Sequence, residues 1–135
     1  METRKRRTID ELTSLIIAAA NEVHRELGPG LLESICEQCL IQELKDRGLI
    51  VESQLTVPVS YKGKPLGATM RLDILVEGRV IVEVKTVDQF HEAHVAQLLT
   101  YLKLTDRKVG LLINFNDALL KHGIRRVVNG DITQA

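Results

Sequence analysis

Asp73, Glu83 and Lys85 are the residues whose types and spacing could do chemistry. They interrupt two apolar runs, Arg71-Leu-Asp73-Ile-Leu-Val and Arg79-Val-Ile-Val-Glu83-Val-Lys85, joined through Glu77-Gly78. In a strand, residues two apart share a face. Glu83 and Lys85 therefore point one way, and Val82 and Val84 the other. A hairpin turning at residues 77 and 78 brings Asp73 toward the far half of the second strand. Two acids and an amine then gather on one side of a sheet. Charges placed there are costly unless they are partnered or ligate a metal ion. Taken alone, Glu83-Val-Lys85 also fits a solvated strand face carrying a weak ion pair, and Glu43-Leu-Lys45 repeats the tripeptide in the pattern of a surface helix.

The flanking elements must position these groups. Thr8-Ile-Asp-Glu11 is a capping box, and Leu12, Leu15, Ile16, Ala19, Val23 and Leu27 follow at helical spacing. Gly28 and Pro29 stop that helix, so it spans residues 9–27. A second helix begins near Leu31, carries Leu32, Ile35, Cys36, Cys39, Leu40 and Leu44 as its apolar stripe, and is closed by Gly48. Glu33 lies in its first turn, where a carboxylate complements the helix dipole in the ordinary way. From residue 50 the period changes to two. Val51, Leu55, Val57 and Val59 alternate with polar residues, and Pro58 marks an edge strand or a bulge. A turn over residues 62–65 leads into strands at 68–76 and 79–85, which completes an antiparallel meander.

Asp88 is placed to cap the next helix, which runs to Leu104. Val95, Leu98, Leu99 and Leu102 form its core face, and Phe90, His94, Gln97 and Tyr101 a narrow second stripe. His91 and His94 could chelate at i, i+3, but no carboxylate in the same turn is aimed likewise. Residues 108–115 read as a fully buried strand, which pairs in parallel after a right-handed crossover. Residues 123–128 can add a last strand.

The chain has 135 residues, enough for one domain with a core. The domain is expected over 9–128, with a basic disordered tail at 1–8 and a frayed end at 129–135. Apolar content is 44%, no run approaches a membrane span, and no apolar stretch of a secretory signal follows the first Met. A cytoplasmic location follows as an expectation. Net charge is zero, so contact with nucleic acid would need a local basic patch. Residues 4–7 form one, of the kind that is usually a solvated tail. Cys36 and Cys39 have no second ligand pair for zinc and read as packing thiols. Four aromatic side chains, Tyr61, Phe90, Tyr101 and Phe115, are too few for a single-strand stacking platform.

The order is helix, helix, three antiparallel strands, helix, strand, with room for one strand more. Asp73 lies on the second strand, Glu83-Val-Lys85 ends the third, and Gln97-Leu-Leu-Thr-Tyr101 follows on the next helix. This order and spacing resembles the PD-(D/E)XK nuclease superfamily, and the Gln-x-x-x-Tyr piece resembles its RecB-like branch. More narrowly, Gly30-Leu-Leu-Glu33-Ser-Ile-Cys36 and the stretch 109–115 resemble the bacterial GxxExxY protein family. Cys36 stands where that motif has tyrosine, and Leu72 where the superfamily's name has proline. The resemblance implies an α/β fold (α+β by some schemes) with a restriction-endonuclease-like core. Helices pack on a mixed four- to five-stranded sheet in the order ααβββαβ(β).

It also implies the chemistry of a nuclease that hydrolyses phosphodiester bonds in DNA, ahead of RNA. Asp73 and Glu83, with the Val84 carbonyl, would ligate Mg²⁺ or Mn²⁺, which take hard oxygen donors. Glu33 becomes a further ligand on the resemblance alone. Lys85 would orient the water or stabilise developing negative charge. Gln97 would hold a phosphate or a water, supported by Tyr101, with His94 a neighbour on the same stripe. A homodimer or a partner protein could complete the grip on a duplex. The competing readings are a nucleic-acid-binding module and a scaffold, each keeping the fold with little or no catalysis.

Overall fold

A computed structural model describes residues 6–133 and residue 135 of the chain. Residues 1–5, which include the first half of the basic run at 4–7, lie outside the described part. The elements are α1 (Ile9–Leu27), α2 (Glu33–Asp46), β1 (Val51–Tyr61), β2 (Lys64–Val76), β3 (Val80–Lys85), α3 (Glu92–Leu104), β4 (Val109–Asn114) and β5 (Ile124–Val128), with a 3-10 turn at Leu120–Gly123. One sheet holds the strands in chain order, β1-β2-β3-β4-β5. The pairs β1–β2, β2–β3 and β4–β5 are antiparallel, and β3–β4 is parallel. This is the mixed sheet that the order of motifs implies.

Helices cover both faces. Leu12, Ile16, Ala19 and Ala20 of α1 and Cys36, Leu40 and Leu44 of α2 pack on Ile74, Val76, Val80, Val82, Val84, Leu111 and Ile113. Leu98 and Leu102 of α3 pack on Leu75, Ile81 and Leu112 from the other side. β3 and β4 are buried on both faces, which is why their sequences are continuous apolar runs. Gly110 lies on the α3 side, where a Cβ would stand 2.8 Å from the Leu98 side chain. The missing side chain is what lets α3 approach β4 so closely.

Local chemistry sets most boundaries. The Thr8 hydroxyl accepts the Glu11 N–H at 3.1 Å and starts α1. Glu77 and Gly78 both have positive φ, 54° and 65°, and the Arg79 N–H donates to the Val76 carbonyl at 3.0 Å. This is the primed two-residue turn that suits a right-twisted hairpin. Lys62 and Gly63, with φ of 52° and 76°, make the same turn between β1 and β2. β2 therefore begins at Lys64, earlier than the expected residue 68. β1 is an edge strand with an irregular register between Pro58 and Ser60, as its proline predicts.

Two expectations need correction. α2 begins at Glu33 with Leu32 as an extended cap, and Leu32 and Ile35 are exposed rather than part of the stripe. The inward positions are Cys36, Glu37, Leu40 and Leu44, so the helix is rotated to present an acid to the interior. Asp88 does not cap α3; His91 holds that position and α3 starts at Glu92. The reason is Asn114, wholly buried at the end of β4. Its Oδ1 accepts the Val87 N–H at 3.0 Å, and its Nδ2 donates to the Val87 carbonyl at 2.7 Å. This two-point clamp fixes Val87 at the end of β4, so the chain bends at Asp88 and Gln89 and the helix starts only at Glu92.

Asn114→Ala leaves the Val87 N–H without its partner and the Val87 carbonyl with only the longer bond from Asn116 Nδ2, at 3.4 Å. Losing such a partner costs about 1–3 kcal/mol, so the variant is expected to unfold at a urea concentration well below the native midpoint. A midpoint shift equivalent to less than about 0.5 kcal/mol, the scale of an ordinary surface change, would refute the clamp.

Candidate active site

β2 and β3 part company at Asp73. Their register pairs Ile74 with Val82, Leu75 with Ile81 and Val76 with Val80, and goes no further. Beyond it the Asp73 carboxylate takes over the ladder, accepting the Val84 N–H through Oδ2 at 3.0 Å. The side-chain alternation of β2 changes phase at the same residue. Ile74 packs beneath α1 and α2, whereas Leu72 packs with the α3-side cluster. The neighbouring ladder is disturbed too. β1 and β2 pair on either side of Gln54 and Asp73 but not through them, and Gln54 has φ of 51°. A left-handed non-glycine residue in a strand is uncommon and costly. Both partners of β2 thus loosen around Asp73, and an opening forms where a continuous sheet would have none.

Glu83 lies next to this opening. Its side chain is on the α3 side of β3, as alternation predicts, because Val82 and Val84 belong to the core under α1 and α2. It is only 3% exposed. Its Oε1 is buried with no hydrogen-bond partner among the described residues. Burial first, and then the neighbouring Asp73 carboxylate, push its pKa up to about 9; Lys85 acts in the opposite direction. In the metal-free chain Glu83 is therefore held as the neutral acid at pH 7. Lys85 is half-buried at the end of β3 and enters no ion pair among the described residues.

α3 brings its polar stripe over this group. The Tyr101 hydroxyl has its pKa raised by burial and by the charges of Glu83 and Asp73, so it stands within electrostatic reach of both. His94 is lowered by burial and by Lys85 and His91, with Glu33 opposing. Its Nδ1 accepts the His91 N–H at 3.1 Å. Gln97 is exposed on the same helix and makes no side-chain hydrogen bond among the described residues.

Glu33 is exposed at the start of α2. It lines a cleft of about 400 Å³ with Glu37, Ser53, Gln54, Arg71 and Asp73. The cleft relates Glu33 to Asp73, but no three His, Cys, Asp or Glu side chains among the described residues close on one point as a metal shell. The structure brings Asp73 and Glu83 together, with Val84 bound to the first and Lys85 following the second. Glu33 and Gln97 stay at the periphery.

Two residues of this region have no counterpart in the sequence reading. Glu37 is 9% exposed and accepts the Gln54 amide at 2.5 Å. Burial raises its pKa, the Gln54 bond opposes this, and the Asp73 and Glu33 charges add to it. Its helical position one residue after Cys36 and three before Leu40 was the available signal. Asn114 is the other, and the signal was a lone amide closing a wholly apolar strand.

The donor set fits a hard divalent cation. Two adjacent carboxylates, one with a buried oxygen that no described residue satisfies, are what such an ion neutralises. The sequence model of the PD-(D/E)XK nuclease superfamily matches residues 10–127 of the chain. No curated protein matches it. Among the described residues no helix is long and apolar enough to cross a membrane.

Proposed function

We propose, from the premise that this chain belongs to the PD-(D/E)XK nuclease superfamily, that it hydrolyses phosphodiester bonds in DNA with the help of Mg²⁺ or Mn²⁺. The observation that carries the reading is the meeting of Asp73 and Glu83 where β2 and β3 separate, with a Glu83 oxygen that has no partner among the described residues. Superfamily members generally use divalent metals. Here Asp73, Glu83 and the Val84 carbonyl would hold the ion, with Glu33 as a further ligand across the cleft. When bound, the ion supplies charge neutralisation at phosphorus and a lowered pKa for an attacking water.

The other residues do the positioning. Lys85 keeps its ammonium beside the reacting phosphate, where it orients the water and stabilises the negative charge that develops. Gln97 holds a phosphate oxygen or a water, Tyr101 supports it by hydrogen bonding, and His94 lines the same stripe. The finer GxxExxY and RecB-like placement, and a cytoplasmic setting, belong to this proposal. The placement rests on Gly30 and Glu33 and on Gln97 and Tyr101.

Duplex cleavage in Mn²⁺, followed on a gel, tests the reading. The native chain is expected to cut, Asp73→Ala to lose activity to background, and Mn²⁺ to raise the melting temperature of the native chain alone. Equal cutting, or equal thermal shifts in both proteins, counts against it.

A further inference from the structure

The β1–β2 hairpin extends well beyond the sheet that anchors it. β2 meets β3 only from Ile74 to Val76, yet β1 and β2 stay paired out to Tyr61 and Lys64. Leu55, Val57, Met70 and Leu72 tie the root of this ribbon to the α3-side core. From residue 58 to residue 69 every position is exposed except Val59, which is half-buried. At 3.3 Å per residue the free part reaches about 15 Å past its root.

Charge is segregated on it. Between Ser53 and Leu72 the sequence contains Lys62, Lys64 and Arg71 and no acid. The whole chain balances at zero, so the remainder is net acidic. Lys62 is in the turn at the tip and Lys64 follows it, and the Lys62 ammonium lies 5.4 Å from the Tyr61 ring centre. Arg71, at the root, lines the cleft that contains Asp73. The ribbon's cations thus stand at its tip and at its root, where Arg71 borders the cleft that Asp73 lines.

We infer that this ribbon is a duplex-DNA grip, entering the major groove with Lys62 and Lys64 on the phosphates and leading the backbone past Arg71 into the cleft. A two-stranded ribbon fits the B-form major groove, about 12 Å wide and 8.5 Å deep, and about 15 Å of reach is enough to enter it. The deep, narrow major groove of A-form RNA does not admit it. The ribbon supplies the local basic patch that a neutral chain needs to hold a polyanion. The inference rests on the functional reading above for its substrate, but its test reads binding without cleavage.

The test is fluorescence anisotropy of a labelled duplex of about 20 base pairs, titrated with the full chain at several KCl concentrations in chelator. The variant is Lys62→Asn with Lys64→Gln; asparagine tolerates the left-handed turn position. Losing two phosphate contacts is expected to reduce the slope of log affinity against log salt by about 1.8. Affinity near 0.1 M KCl is expected to fall about tenfold. Lys45→Gln with Lys121→Gln, on α2 and the 3-10 turn, is expected to leave both quantities unchanged. Should Lys62→Asn disturb the turn, Lys64→Gln with Arg71→Gln reads the same loss from strand positions.

An unchanged slope in the ribbon variants overturns the inference, and so does an equal loss in the α2 control. It is also overturned if a single strand of equal length binds as tightly, or if the native chain sediments as a dimer that the ribbon variant loses, since a second copy would then occupy the hairpin. A chain that binds through the ribbon but cuts nothing in Mn²⁺ leaves the grip standing and removes the hydrolytic reading.

Discussion

Lys85→Ala is expected to lower kcat for duplex cleavage by about a thousandfold while leaving KM within a few-fold of native. Removing one preorganised group aimed at developing charge costs about 10²–10³ in rate. A group that acts mainly as the transition state forms reduces kcat without weakening ground-state binding. Lys85 has the placement for this: it ends β3 two residues beyond Glu83 and enters no ion pair among the described residues. Its own carbonyl accepts the Phe115 N–H at 2.9 Å, so the backbone stays anchored when the side chain is removed. The check is a steady-state series on a duplex substrate with thermal melts alongside. A loss confined to KM would make Lys85 a docking residue, and activity close to native would remove it from the mechanism.

Glu83→Gln is expected to stabilise the metal-free protein above neutral pH. Glu83 has its folded-state pKa pushed up to about 9 by burial and by Asp73, against about 4.3 for an unfolded glutamate. Between those values the native chain binds a proton that the unfolded chain has released. Stability from this group is thus fully present below about pH 4.3 and is lost as pH rises toward 9. Glutamine keeps the shape and has no proton to lose. Near pH 8.5 its melting temperature in chelator is expected to exceed native by about 5 °C, which at this size corresponds to roughly 1–2 kcal/mol. A divalent ion reverses the order, because it binds the ionised carboxylates and stabilises the state that holds it. In Mn²⁺ the native chain should gain stability as pH rises, and the variant should not. Parallel pH profiles for the two proteins in chelator would show that Glu83 is not the buried acid described here.

Short-range sequence signals were sufficient for much of this architecture. Thr8 sets the start of α1, Glu77-Gly78 turns the hairpin, and the apolar run at 109–114 fixes a buried central strand. Period-two alternation puts Glu83 and Lys85 opposite Val82 and Val84, which is the face they occupy. Harder to see is where neighbouring strands stop pairing. Nothing local to Asp73 says that β2 pairs with β3 only from Ile74 onward, or that Gln54 across from it takes a left-handed conformation. Those features arise from the fit of the hairpin against α2 and α3. The late start of α3 has the same origin, since Asn114 is 27 residues from the Val87 it binds. The inward turn of Glu37 reflects the rotation of a whole helix, which an apolar stripe of mixed quality left open between Ile35 and Glu37.

The chain-order arrangement of the sheet bears on how the molecule assembles. Three of its four strand seams are antiparallel neighbours in sequence, closed by short loops that form on a microsecond scale. Only the β3–β4 seam must wait for α3 to cross over, and the entropy of that closure comes before any contact rewards it. The late kinetic step then falls on the packing of Leu98 over Gly110, and a chain emerging from the ribosome can complete its first hairpins before that step begins.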